Sequence, residues 1–290
     1  MSGFDGQLLA LARSFLFVPA TRPERFAKAL ASGADAVIID IEDAVAPGEK
    51  AQARQLLAQA WPALPTASRA RVLVRVNAGN TAWHGDDLNL LGGLGVAGVM
   101  LPKAEQAAQL SHVAAVLGPA CALVPMIESV AGLDAADALA RSPQVLRLAF
   151  GNLDFQADAG LVCEPDEAEL TAVRLALLLA SRRAQLSSPI DGVTVDLQAP
   201  AQLARDLLRS RSGGFGAKLC IHPSQVVAVN AAFTPSPTEI DRARRVLAAG
   251  EAAGGGVVSL DGRMVDAPVL LLARRTLART LHARGGPDPT

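Results

Sequence analysis

Tyrosine is absent from the 290 residues, and all aromatics together make up 3% of them, although half the chain is hydrophobic. A core of that size has to be built from Ala, Leu and Val rather than from rings. An excess of one charge sign is lacking too, since the formal net charge is −1. Such a balance offers no electrostatic attraction to nucleic acid or to an anionic membrane surface. No apolar run approaches the length that spans a bilayer. Cys121, Cys163 and Cys220 stand far apart with no C-x-x-C pair, an odd, scattered set that reads as reduced thiols in cytosol. The opening stretch, MSGFDGQLLALARSFLFV, has no basic leader before its apolar part and no clear cleavage site. A cytoplasmic protein is therefore expected. Also missing are a G-x-S-x-G elbow, a P-loop and a His pair at zinc-site spacing.

What is present is alternation. Short apolar runs at 14–20, 36–43, 71–77, 98–103, 122–128, 145–151, 191–196 and 217–223 read as strands. Ala/Leu-rich amphipathic stretches lie between them. PERFAKALASG has Pro23 near its start and Gly33 as a stop; PDEAELTAVRLALLLASRRAQL is acidic first and basic last, as the helix dipole favours. Eight such alternations with nearly continuous apolar strands predict a parallel (β/α)8 TIM barrel. A doubly wound open sheet is the alternative. It is weakened because no strand is followed by G-x-G-x-x-G, and the glycine-rich GGLGVAG (92–98) precedes a strand. After residue 223 the pattern changes to a helix ending in glycines, a hairpin around Asp261-Gly262 and a final helix. The expected domains are a catalytic barrel over 1–223 and a C-terminal extension over 224–290, packed beside the barrel or on a neighbouring subunit.

In a barrel, chemistry belongs at the carboxyl ends of the strands. Polar residues gather there: Asp40, Glu42 and Asp43 on strand two, Arg75 and Asn77 on strand three, Lys103 on four, Glu128 on five, Asp154 after six and His222 on eight. Alternation puts Asp40 and Glu42 on one side, with Asp43 facing away or beginning the loop. A hard divalent cation, Mg²⁺ with Mn²⁺ as a substitute, would neutralise several of these acids. Glu128 and Asp154 could supply two direct ligands, with the strand-two acids holding water or the nearby Arg and Lys; position alone leaves open which pair binds directly. Each residue also has an ordinary structural role available. Glu128 could cap the helix starting near Ser129, and Asp154 could satisfy N–H groups of its own turn. Arg75 and Lys103 could neutralise the strand-two acids. A Schiff-base role for Lys103 is disfavoured, because neighbouring acids hold the amine in its charged form. His222 reads as a hydrogen-bonding strand-end residue, and Arg274, Arg275, Arg279 and Arg284 as a solvated helix face.

Several segments resemble the citrate lyase beta-subunit family, which includes citramalyl-CoA and malyl-CoA lyases. They are RSFLFVPATRPERFAKALASGADAVIIDIEDAV, VRVN with TAWHGDDL, VMLPKAE, MIESVAGL, LAFGNLDFQADAG, GFGAKLCIHPSQV and LDGRMVDAP, in the family's order from Arg13 to about Ala273. The resemblance implies a Mg²⁺-dependent barrel of the phosphoenolpyruvate/pyruvate type, with Glu128 and Asp154 as metal ligands. By the same resemblance Arg75 and Glu128 contact substrate, Arg75 steadying the developing oxyanion. Glu42, Asp43 and Lys103 surround the metal. Asp266, in GRMVDAP, matches a catalytic aspartate that a lid contributes to a neighbouring subunit, which implies a homo-oligomer, a trimer or hexamer. Its ordinary role would be an N-cap for the last helix, with Pro268 in the first turn. Ala20 and Thr21 depart from the glycine and small polar residue that often follow FVP, near the thioester side.

The implied reaction is reversible carbon–carbon cleavage of a 3-hydroxyacyl-CoA-type thioester to an acyl-CoA and a 2-oxo acid, such as oxaloacetate, glyoxylate or pyruvate. Two other readings are a metal-dependent aldolase on free 2-oxo acids and a non-catalytic subunit of a larger lyase complex.

Overall fold

The computed structural model describes residues 6–283, apart from 253 and 255. Arg284, the first five residues of the opening stretch and the end of the extension lie outside the described residues. The chain forms two compact units that divide between Asn230 and Ala231. Pro223–Gln225 and the start of the following helix Val226–Phe233 fall in the first unit, with Val226 and Val229 fully buried.

In the first unit eight parallel strands close into a barrel: β1 (Ser14–Pro19), β2 (Ala36–Asp40), β3 (Val72–Arg75), β4 (Gly98–Leu101), β5 (Ala122–Ile127), β6 (Ala149–Phe150), β7 (Ile190–Asp191) and β8 (Ala217–Cys220). Each pairs with the next, and β1 pairs with β8. The expected (β/α)8 barrel is the observed fold. Alternation along each strand explains the apolar runs. Phe15, Ile38, Leu73, Met100, Val124 and Leu219 share one buried cluster, while Leu16, Val37 and Ile39 are buried on the opposite face. Each such side chain contributes about 1.5–3 kcal/mol when fully buried. Among the described residues no helix is long and apolar enough to cross a membrane.

β6 and β7 are shorter than the expected 145–151 and 191–196. Beyond Asp191 the backbone is held by side chains instead of a neighbouring strand. Lys218 Nζ donates to Gly192 O at 2.7 Å, Val193 N donates to Asn152 Oδ1 at 2.9 Å, and Gln225 Nε2 donates to Thr194 O at 2.8 Å. Before β6, the fully buried Arg147 donates to Ser188 O at 2.8 Å and Ala12 O at 2.6 Å. These bonds satisfy buried carbonyls and amides that a ladder would otherwise serve. The expected acidic first turn of Thr171–Arg183 is also displaced: Glu169 sits in the preceding 3-10 turn Ala168–Leu170.

The second unit contains the helices Pro237–Ala252 and Ala267–Ala283, with a hairpin between them, β9 (Val258–Leu260) and β10 (Arg263–Val265). Asp261 and Gly262 turn at φ +51° and +71°, the left-handed pair that a two-residue hairpin needs. Ala243, Val246, Val265 and Ala273 form its small core. A Cβ on Gly250 would lie 2.5 Å from Leu270 Cδ2, so glycine there permits the close packing of the two helices.

Candidate active site

The register sets Asp40 directly beside Arg75. Alternation from Ile38 then turns Asp40 towards the barrel interior. Asp40 accepts Arg75 Nε at 2.8 Å and Nη2 at 2.6 Å, and also the backbone N–H groups of Glu42 at 2.9 Å and Ala44 at 3.2 Å. Both oxygens of Asp40 are thereby committed, and so is one edge of the guanidinium. What remains of Arg75 is Nη1, 3.0 Å from Glu42 Oε2 and 3.6 Å from Asp43 Oδ2. The guanidinium also lies 4.8 Å above the Phe17 ring. Strand two ends at Asp40, so the expected alternation does not govern Glu42 and Asp43. Glu42 is buried, Asp43 is exposed, and both still face Arg75.

Across the rim Glu128 is 3% exposed and accepts the Lys103 backbone N–H at 2.7 Å. Lys103 stands at φ +47°, which aims that amide at the carboxylate. Its own side chain is exposed, unlike the desolvated amine that Schiff-base chemistry requires. Gly151 lies against the other side of Glu128, where a Cβ would sit 2.5 Å from Oε2. Gly151→Ala is expected to push the Glu128 carboxylate aside, lowering stability by about 1–3 kcal/mol. Calorimetry and a metal titration would check this; unchanged values would show that Gly151 does not fix Glu128.

Asp154 stands in the first turn of the helix Asn152–Ala159 and is half-exposed. Among the described residues no hydrogen bond or ion pair holds its carboxylate, so the turn-satisfying role is not what it does. Nor does Glu128 cap a helix: Ser129 does, accepting Gly132 N at 3.1 Å while donating to Glu105 Oε1 at 2.7 Å. Asn77 is drawn off the rim by Asp87, to which its Nδ2 donates at 2.7 Å. His222 is exposed, and its Nδ1 lies 2.8 Å from Ser224 Oγ.

Electrostatics single out two of these acids. Burial first, then the charges of Asp154 and Glu42, push Glu128 up to about 8 against the pull of the Lys103 N–H and Arg75. Burial likewise raises Glu42 to about 7, against Arg75 and with Asp43 and Asp40 adding to the rise. Arg75 itself is held above the ordinary arginine value: burial opposes the charge, and Asp40, Glu42 and Asp43 outweigh it. Glu42 Oε2 is buried without a well-directed hydrogen bond, although Arg75 Nη1 is close. Two carboxylates that repel each other, with an unsatisfied buried oxygen nearby, fit a hard cation with oxygen ligands. Among the described residues no group of three or more acid, His or Cys side chains is arranged to hold a metal ion.

Asp266 lies in the second unit, where its Oδ1 accepts Val269 N at 3.2 Å and caps the helix Ala267–Ala283. Of the strand-two acids expected to hold the nearby arginine, Asp40 is the one that grips it with both oxygens. Asn152 and Glu167, whose contacts span distant segments, leave no comparable signal in the sequence.

A closed parallel barrel that gathers acids around an arginine at its carboxyl rim places the chain among the (β/α)8 barrels, with its polar cluster where such barrels carry their chemistry. More narrowly, the chain belongs to the HpcH/HpaI aldolase/citrate lyase family, whose profile matches residues 13–223. It is 36% identical to the (3S)-malyl-CoA thioesterase of Cereibacter sphaeroides (strain ATCC 17029 / ATH 2.4.9) over 270 residues, 92% of this chain and 94% of that one. It is 37% identical to the citrate lyase subunit beta-like protein of Mycobacterium tuberculosis (strain ATCC 25618 / H37Rv) over 282 residues, 95% of this chain and 98% of that one. Among solved structures it is similar to protein CitE from Mycobacterium tuberculosis in complex with magnesium, acetoacetate and coenzyme A. The TM-score is 0.81 and the identity 36%, covering 93% of this chain and 98% of that one.

Proposed function

We propose that the chain is a divalent-metal-dependent lyase that cleaves, or forms, a 3-hydroxyacyl thioester, with an acyl-CoA and a 2-oxo acid on the other side of the reaction. The observation that carries this reading is the pairing at the rim of Glu128, buried and fixed by the Lys103 amide, with Asp154, which stands in the first turn of Asn152–Ala159 and whose charge repels it. Mg²⁺ held by Glu128 and Asp154, or Mn²⁺ in its place, would supply Lewis-acid polarisation of the oxo-acid oxygens. Arg75 offers Nη1 to the oxo-acid half, its other nitrogens being anchored on Asp40. As the carbon–carbon bond breaks, the hydroxyl becomes a carbonyl, and the bonding pair moves into the thioester enolate. A fixed guanidinium at that oxygen stabilises the transition state without reorganising. Glu42, Asp43 and Lys103 tune the charge around Arg75 and Glu128.

Asp266, presented by the second unit of a neighbouring subunit in a homo-oligomer, accepts the hydroxyl proton in cleavage and returns it to the enolate carbon. In condensation it deprotonates that carbon. Its capping bond to Val269 is compatible with this role, because among the described residues no hydrogen bond engages the second carboxylate oxygen. A cleft of about 430 Å³, lined by Thr21, Arg22, Arg25, Gln52 and the acidic Glu49, adjoins Pro19 at the end of β1. Arg25, with Arg22 partly drawn to Glu24, offers positive charge to an anionic thioester carrier such as coenzyme A.

A thioesterase is the second reading, favoured by the name of the Cereibacter sphaeroides relative. There water would attack the thioester carbonyl and release a free thiol. The purified chain, given a 3-hydroxyacyl-CoA and Mg²⁺, separates the readings. A lyase yields 2-oxo acid and acyl-CoA with no free thiol; a thioesterase yields thiol and no oxo acid. Cleavage of a free hydroxy acid without CoA would instead mark an aldolase. Activity that appears only with partner chains would mark a subunit of a complex. EDTA should stop the reaction, and Asp266→Asn should slow it by roughly 10²–10⁴-fold while metal binding persists. An Asp266→Asn variant with full turnover would leave the residue as a helix cap alone.

A further inference from the structure

Beside β7 and β8 lies a partly buried ionic cluster that the proposed chemistry does not use. Glu167 is its centre. Its Oε1 accepts Asn152 Nδ2 at 2.9 Å, and its Oε2 accepts Arg209 Nη2 at 2.9 Å as well as Arg174 Nη2. Arg174 is 5% exposed and reaches on to Asp191 Oδ1 at 3.0 Å. Arg209 also pairs with Asp206 Oδ1 at 3.1 Å. Glu167 stands at φ +48°, a left-handed conformation uncommon for glutamate, which persists only where the surroundings impose it.

Asn152 transmits the cluster to the rim. It is 2% exposed, and its Oδ1 accepts Val193 N at 2.9 Å while Nδ2 also approaches Val193 O at 3.3 Å. It is packed against Gly192 so closely that a Cβ there would lie 2.1 Å from Asn152 Oδ1. The residue thus pins the first position of the helix Asn152–Ala159, whose first turn carries Asp154. No protein hydrogen bond holds the Asp154 carboxylate among the described residues, so the backbone beneath it decides where that carboxylate points. Glu128, by contrast, is fixed directly by the Lys103 amide.

We infer that Asn152 and Glu167 are positioning residues for Asp154 and so fix one half of the metal pair; the inference rests on the metal reading proposed above. Outer groups that orient a ligand typically cost 10–100-fold in metal affinity when removed.

The test is Mn²⁺ titration of the full chain, followed by electron paramagnetic resonance with pyruvate present, at a temperature where melting curves show each variant folded. Asn152→Ala and Glu167→Gln should each bind Mn²⁺ about tenfold or more weakly. Ser210→Ala removes a contact to Asp191 in the same cluster without touching Asn152, and should stay within about twofold of wild type. If Asn152→Ala does not fold, the isosteric Glu167→Gln decides. Wild-type binding in Glu167→Gln, or equal losses in Ser210→Ala, would make the cluster a stabilising element only. A wild-type chain that binds no Mn²⁺ would overturn the metal reading and this inference with it.

Discussion

Glu128→Gln should give a folded protein that binds no Mg²⁺ and turns over no thioester, yet resists heat better than the metal-free parent at pH 8. The amide keeps the acceptor that Lys103 N–H needs and still fits against Gly151. What it loses is the charge. In the metal-free parent Glu128 is raised to about 8 from an ordinary glutamate's 4.5, chiefly by burial and by Asp154. A carboxyl raised in the folded state contributes stability that is complete below 4.5 and lost as pH climbs through 8. Glu42, raised to about 7, loses its contribution over the lower part of the same window. The metal-free parent should therefore melt at lower temperature as pH rises from 5 to 8, and Glu128→Gln should flatten part of that slope.

Mg²⁺ should act in the opposite sense, because its ligands must be deprotonated. Its stabilising shift in the parent should grow over the same window. Asp154→Asn should abolish binding and activity as well. It should also lower the proton affinity of Glu128 by removing the second-largest cause of its rise. Differential scanning calorimetry across pH, with EDTA or with Mg²⁺, reads all of these effects. A Glu128→Gln protein that is stabilised by Mg²⁺ like the parent would remove Glu128 from the ligand set.

The barrel was readable because its strands are apolar on both faces, as Val37, Ile38 and Ile39 show. The turn at Asp261-Gly262 was equally plain, since few other pairs accept two left-handed residues in succession. The ends of β6 and β7 were not readable. Arg147 and the 192–194 backbone are satisfied by bonds from segments remote in sequence, such as Asn152 and Gln225. Nor does a single carboxylate announce its partner. Asp40 and Glu42 look alike in the sequence, yet Asp40 meets four donors and Glu42 is left with one oriented poorly. The rim positions of Glu128 and Asp154 follow from strand ends alone. The Glu167 cluster joins residues far apart along the chain and leaves no periodic trace.

Arg75→Met should be the most damaging single change to the fold among the rim residues. Its side chain is 10% exposed and that of Asp40 2%, so the pair has little solvent to fall back on. Removing the guanidinium leaves Asp40 and Glu42 as buried acids without their ion-pair partner, with only the weaker fields of Lys50 and Lys103 to offset them. Breaking a buried pair in this way typically costs about 3–5 kcal/mol, a fall in melting temperature on the order of 10 °C. Without that partner, the Glu42 carboxyl, already raised to about 7 chiefly by burial, would hold its proton to higher pH. The deficit relative to wild type should then narrow near pH 5, where Glu42 can be neutral, and widen towards pH 8. Arg75→Lys separates charge from geometry. It keeps a cation near Asp40 but has no fork to span both its oxygens while facing the rim. Much of the stability should return with lysine, whereas activity should stay at least about 10²-fold down, the usual effect of losing a fixed oxyanion donor. Melting curves at pH 5 and pH 8, beside turnover of the lysine variant, read both halves. A deficit of equal size at the two pH values would show that the lost packing on Phe17, and not the acids, explains the damage.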